Sequence, residues 1–298
     1  MNKYLILLLS LFSIHAFSQK IDMDLFKNLE PRAFYVGKNK PWSASISYFI
    51  SELTEDEEEQ VKIEVLDREN IVRTLFRKPE KGFNRQYWNL ETDGVRRPGG
   101  KKQKKENVQL PSGRSVLPNN YKIRISYGES SKEEDINVKL DPRLQISEQE
   151  LQAKADLMDE VKELVSTTTD LVDRLDESKE TVAIIKKMSK SQEIELLDSL
   201  NDRSDEITKE IKDLRATIMG PTDIQGIYRD PDLTNSKISV AGGLIRSILA
   251  PVTANQRVGF DEASKQVKIS VEEINTFYST KWKDYRSFAE SLNIGFFK

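Results

Sequence analysis

The hydrophobic period of this chain changes at Asp141-Pro142, from that of strands before it to that of helices after it. Alternation of apolar and polar residues builds a strand with one buried and one wet face. Recurrence at three and four residues builds a helix with one apolar stripe. The 298 residues are therefore expected to form an α+β protein in the order β then α, with the boundary at that dipeptide.

Before it, six runs mostly alternate: Ser45 to Ile50, Val61 to Leu66, Ile71 to Leu75, Phe83 to Leu90, Tyr121 to Ile125 and Ile136 to Leu140. They are rich in β-branched and aromatic residues, and Asp67-Arg68-Glu69-Asn70 joins two of them as a short polar connection in which Asn70 can take the left-handed conformation. About six or seven short strands in about 110 residues imply an immunoglobulin-like β-sandwich. Its expected span is 35–141, with a basic insertion at 95–109.

From Ser147 onward three serine or threonine residues have the capping-box partner three positions on: Ser147 with Glu150, Ser189 with Gln192 and Thr253 with Gln256. Each starts a stripe. Leu157, Val161, Leu164, Thr168, Leu171 and Leu175 follow the first. Ile194, Leu197, Leu200, Ser204, Ile207, Ile211, Leu214 and Ile218 follow the second, which Gly220-Pro221 stops. After the third come Val267, Val271, Ile274, Tyr278, Trp282, Tyr285, Phe288 and Leu292, and a shorter helix is expected between Asn235 and Leu249. Long helices with short connections predict an antiparallel helical bundle over 142–298. A continuous intermolecular coiled coil is disfavoured, because Gly220, Pro221, Pro231, Gly242, Gly243 and Pro251 interrupt the heptads.

The N-terminus reads as an export signal. Lys3 precedes an apolar run from Tyr4 to Ile14, and Ala16-Phe17-Ser18 supplies small residues at the positions a signal peptidase accepts, so 1–18 is expected to be removed near Ser18 and 19–34 to form an N-terminal segment. The apolar run is shorter than the roughly 20 residues of a membrane-spanning helix, so no span is expected in the mature chain, which would be periplasmic, cell-surface or extracellular. The single histidine, His15, lies in the removed part, and there is no cysteine. Imidazole and thiolate chemistry, disulfides and most transition-metal sites are thereby lost, and neither a cofactor nor a metal is expected. A net charge of −3 argues against a nucleic-acid partner.

Four stretches carry a family resemblance: VKIEVLDRENIVRTL at 61–75, GFNRQYWNL at 82–90, LPNNYKIRI at 117–125 and VKLDPR at 138–143. Together they resemble the C-terminal region of large secreted bacterial proteins with sortilin-type, BNR-repeat β-propellers, often called glycosyl hydrolase-like or sialidase-like. The resemblance implies a similar sandwich, an aspartate-proline-arginine hinge and a helical tail. Two positions depart from the family pattern: Asn89 stands where an acidic residue is usual, and the turn reads Pro118-Asn119-Asn120-Tyr121. The propeller itself has no room between Pro31 and the first strand, so no catalytic residue is carried over. The sandwich half alone is also similar to the Ig-like module of flagellar hook-capping proteins and of secreted proteins from gliding bacteria.

The expected function is a non-catalytic, exported interaction or structural module. Its partner would be a protein, such as a separately encoded propeller or an envelope component, with a glycan as a second class. The candidate ligand-binding residues are Tyr87 and Trp42, as a sugar-stacking platform, and Arg96, Arg97, Lys101 and Lys102 in the basic cluster around Pro98-Gly99-Gly100. That cluster could hold phosphate, anionic glycan or lipid, although it reads first as a solvated, flexible insertion. Trp88 reads as core, since neighbours in a strand face opposite ways. The acidic run Glu55 to Glu59 lacks the ligand alternation of a calcium loop. The alternative is a residual glycoside hydrolase, with Glu91 and Asp93 as its carboxylate pair, or a carbohydrate-binding module.

Overall fold

A computed structural model describes residues 43–292, apart from 57, 103–106, 191–195, 223, 225–227, 229 and 248. The expected signal peptide, the segment 19–34 and Trp42 lie outside the described residues. Eight strands in antiparallel pairings come first and helices follow, so the chain is α+β in the expected order. It divides into two units, one holding the chain up to Glu91 with Pro118–Lys139, the other holding Thr92–Leu117 with Leu140–Lys298.

In the sheet unit, β1 (Ala44–Ile50) pairs with β4 (Gly82–Trp88). A four-stranded sheet runs in the order β3 (Asn70–Arg77), β2 (Val61–Asp67), β7 (Asn119–Tyr127), β8 (Ser130–Val138). Alternation decides what is buried: Ile63 lies opposite Leu75 on one side and Ile125 on the other, and all three are core residues. From the other sheet, Ile46, Tyr48, Ile50 and Trp88 are buried as well. Trp88 meets the Tyr121 ring edge to face at 5.7 Å, and its indole N–H donates to the Glu91 carbonyl at 2.9 Å. The two sheets therefore contribute to one interior. In the β2 to β3 turn it is Arg68, at φ +57°, that takes the left-handed conformation. Asn70 is already paired with Asp67 at the start of β3.

Two short strands that periodicity could not reveal, β5 (Glu91–Asp93) and β6 (Ser112–Ser115), form a hairpin. Their backbones lie so close that a Cβ at Gly94 would sit 2.6 Å from the Ser112 carbonyl oxygen, and one at Gly113 would sit 2.8 Å from that of Asp93. Only glycine permits that approach.

Between the strands and helices, Asp141 folds into a local turn with Arg143. Its carboxylate accepts from the Arg143 backbone N–H at 2.9 Å and from Nε at 2.9 Å. These bonds hold its pKa down at about 2, from 3.8. Because the folded value is depressed, the turn's contribution to stability is present above pH 3.8 and is lost as pH falls toward 2. A carboxyl NMR titration of Arg143→Ala should move the Asp141 midpoint from about 2 back toward 3.8; an unmoved midpoint would show that this turn does not form in solution.

The helical unit begins with α1 (Glu148–Ser189), followed by α2 (Leu197–Met219), α3 (Thr234–Arg246), α4 (Ala254–Phe277) and α5 (Lys283–Ser291). Complete capping boxes start α1 at Ser147 and Glu150 and α4 at Thr253 and Gln256. Ser189, the second expected start, does not begin a helix. Ser189 closes α1 and donates to the Lys186 carbonyl at 3.1 Å, and α2 has Leu196 at its N-cap with no side-chain cap. Its expected partner Gln192 and the stripe residue Ile194 lie outside the described residues.

The helices lie in three rows. Lys186 pairs with Asp205 and Arg215 with Asp176, so α2 runs antiparallel along the second half of α1. The first half of α1 meets α3, where a Cβ at Gly242 would touch Val161 at 3.2 Å. Gln256 donates to the Leu244 carbonyl, and Thr234 bonds Ser270, so α4 returns antiparallel to α3. It therefore runs parallel to α1, with Glu160 near Arg257 and Ser178 bonded to Tyr278. Two apolar clusters result: Leu157, Val161, Ile238, Ile245, Phe260 and Val267 in one, and Leu175, Leu200, Ile211, Ile218, Phe277 and Tyr285 in the other.

Tyr278–Trp282 is π-helical. At about 100° per residue, an α-helix would place Tyr285 about 80° past Phe277. The wider turn takes up the excess, keeps both residues buried and brings the Tyr285 hydroxyl to 3.0 Å from that of Ser204.

Candidate functional site

The basic insertion is braced against α1 rather than solvated along its length. Arg96 donates through Nη1 to Asp173 at 3.1 Å and to the Gly100 carbonyl at 2.8 Å, and its Nη2 pairs with the same carboxylate. The Thr169 hydroxyl donates to the Arg96 carbonyl at 2.9 Å. Lys102 pairs with Glu177 and lies 3.4 Å from Asp173. On β6, Arg114 Nε reaches both Asp159 oxygens at 2.9 and 3.0 Å. The carboxylates on α1 thus draw Thr92–Leu117 into the helical unit, and the expected placement of 95–109 in the sheet domain is corrected accordingly. A reading of periodicity misses this because the attraction is between charges distant in sequence.

Of the predicted ligand residues, Arg96 and Lys102 are engaged within the chain. Arg97 and Lys101 are exposed, and the Arg97 carbonyl accepts from the Gly100 N–H at 3.0 Å across the turn. Lys104 and Lys105 lie outside the described residues. A Cβ at Gly99 would come within 3.5 Å of Arg215 and 3.4 Å of Met219, so the turn rests on the last turns of α2. Beside it is a groove of about 450 Å³, with Asp176 and Lys179 of α1 and Lys212, Asp213 and Arg215 of α2 on its walls.

The second site candidate is the outer face of the β1 and β4 pair. Tyr87 is 42% exposed and points away from Trp88, which is 1% exposed. Trp42 lies outside the described residues, so the expected pair is not assembled by them. Instead, Phe83 (58% exposed) stands directly across from Phe49 (37%), and Tyr87 stands across from Ser45. Between them the Arg85 guanidinium lies 5.8 Å from the Phe83 ring centre. This cluster was legible in the alternation of Phe83, Arg85 and Tyr87, since all three share one strand parity.

The core-facing side of β3 is less apolar than its neighbours. Arg73 and Arg77 lie opposite Val65 and Val61, and Arg77 donates to Gln86 of β4 and to the Phe76 carbonyl. Burial lowers the Arg77 pKa, opposed by Tyr48 and aided by Arg73. Burial in turn raises the Tyr48 pKa, opposed by Arg77. Glu91 and Asp93 are half-buried on β5, and neither lines the groove on α1 and α2. In the acidic loop, Asp56 accepts from the Glu58 N–H at 2.9 Å as a local turn. Among the described residues, no group of three or more acidic or histidine side chains is placed to hold a metal ion.

No protein-family model matches the chain, and no match to it is found among the curated proteins or the solved structures.

Proposed function

We propose that this chain is an exported, non-catalytic interaction module, an immunoglobulin-like sandwich followed by a helical bundle, similar to the tail of propeller-containing secreted proteins. Two features support this architecture: the shared interior of the two sheets, and the three rows of helices, in which α2 and α3 both run antiparallel to α1 and α4 returns parallel to it. The reading of function rests on one observation, the exposed cluster of Phe49, Phe83 and Tyr87 around Arg85 on the outer face of β1 and β4. Large aromatics and arginine are the side chains that dominate the centres of protein interfaces, and together they form a patch that water solvates poorly. The partner class is a protein, an envelope component or a separately encoded propeller among them.

Photo-crosslinking tests this. A benzophenone side chain placed at Phe83 or at Tyr87 in the producing cell should give one adduct of defined mass. The same group at Lys132, on the exposed strand β8, should give none. Phe83→Ser together with Tyr87→Ser should abolish the adduct formed from position 49 while leaving the melting temperature unchanged. Equal labelling at 83, 87 and 132, or no adduct at any of them, would overturn the reading. A glycan array in parallel separates a protein partner from sugar stacking on Tyr87.

A further inference from the structure

Resting on the reading of the outer face of β1 and β4 as an interface, we infer that its partner docks there through an extended segment, which presents a carboxylate side chain to Arg85 and Ser47. An apolar side chain stands two positions to either side of that carboxylate.

The centre of the aromatic cluster is Ser47. It lies directly across from Arg85, with Phe83 and Tyr87 at the two diagonal positions of β4 and Phe49 two places on along β1, all within reach of one another on one face of an antiparallel pair. Phe49, Phe83, Arg85 and Tyr87 are exposed, whereas Ser47 among them is 1% exposed. Its hydroxyl is buried and has no hydrogen-bond partner. A buried hydroxyl in that state destabilises the fold, and an incoming acceptor relieves the cost. The Arg85 guanidinium lies 5.8 Å from the Phe83 ring centre, and no carboxylate among the described residues pairs with it.

One cross-strand pair therefore offers two kinds of donor and a single positive charge. A carboxylate matches both: its two oxygens accept from a guanidinium fork and have capacity left for a serine O–H. The flanks decide what carries it. Phe83 and Tyr87 each stand two residues from Arg85, roughly 6.5 Å along the strand, and an extended segment crossing the face repeats its own side chains at that pitch. A helix brings its same-face neighbours at three and four positions instead. An acidic sugar would set hydroxyls against Phe49 and Phe83, rings that have no polar atom to receive them.

Fluorescence anisotropy of the full chain with a labelled, backbone-cyclised β-hairpin peptide, displaying leucine, aspartate and leucine at alternate positions of one strand, tests the assignment. The peptide should bind saturably, and replacing its aspartate by asparagine should weaken it roughly tenfold or more. Arg85→Gln should weaken the aspartate peptide by a similar factor and abolish the difference between the two peptides. Ser47→Ala should weaken it roughly threefold or more while leaving the melting temperature unchanged or higher, since it removes an unpaired buried hydroxyl. Lys132→Gln, on β8, should change nothing. An absence of saturable binding would overturn the inference, as would an aspartate preference that survives Arg85→Gln, or equally tight binding of the asparagine hairpin, of a helical peptide of the same composition or of glucuronate. A single photo-adduct in the producing cell together with any of these results would leave the interface standing and sink only its acidic, extended partner element; no adduct would sink both.

Discussion

Trp88→Ala should lower the stability of the sheet unit by about 3 to 5 kcal/mol, the cost typical of deleting a large aromatic from a packed interior. Three losses add. The indole is 1% exposed, so its removal leaves a cavity between the two sheets. Its edge-to-face contact with Tyr121 at 5.7 Å disappears. The Glu91 carbonyl loses the donor that Trp88 holds at 2.9 Å, at the point where Leu90 adopts φ +58° to turn the chain out of the strand. Urea unfolding followed by far-UV circular dichroism should show an early transition for the sheet unit that is absent from the parent protein. Trp88→Phe, which keeps a ring in the interior but loses the N–H, should recover more than half of the loss. A Trp88→Ala protein as stable as its parent would mean that the sheets do not share the interior described.

The second large effect concerns where the protein can be cut. Division at Asp141, the change of period, separates α1 from the hairpin that braces it and leaves Asp159, Asp173 and Glu177 without Arg114, Arg96 and Lys102. The pair formed by Arg96 and Asp173 is the strongest of these, with side chains 25% and 18% exposed and two bonds to one carboxylate. Hydrogen bonds to charged groups contribute about 1.5 to 3 kcal/mol each when sheltered, and less on an open surface. The segment 140–298 should therefore melt roughly 10 °C lower than the same segment with 92–117 joined to it by a flexible linker. Asp173→Asn should remove a large part of that difference. Equal melting temperatures for the two would show that the hairpin only lies on α1 without supporting it.

What could be read from the sequence is what depends on near neighbours in the chain. Alternation placed Ile63, Val65, Ile123 and Ile125 in the interior, and the four-and-three stripe placed Leu157, Leu171, Leu175, Ile207 and Ile211 there, because side-chain direction within one element follows from its own period. The capping boxes at Ser147 and Thr253 were legible for the same reason, since both partners lie within one turn. Ser189 does not cap α2, because it is still part of α1, where its Oγ bonds back to the Lys186 carbonyl.

Tertiary structure alone decided the features built from distant partners. Which carboxylates would receive Arg96, Lys102 and Arg114 depended on helix α1 arriving beside the hairpin some 45 to 77 positions later in the chain, and no local pattern encodes that meeting. The same is true of α4 running parallel to α1, of the π turn that returns Tyr285 to Ser204, and of the groove that residues of α1 and α2 line together. Local periodicity fixes which face of an element avoids water, whereas only packing decides which charged and aromatic groups then meet across it.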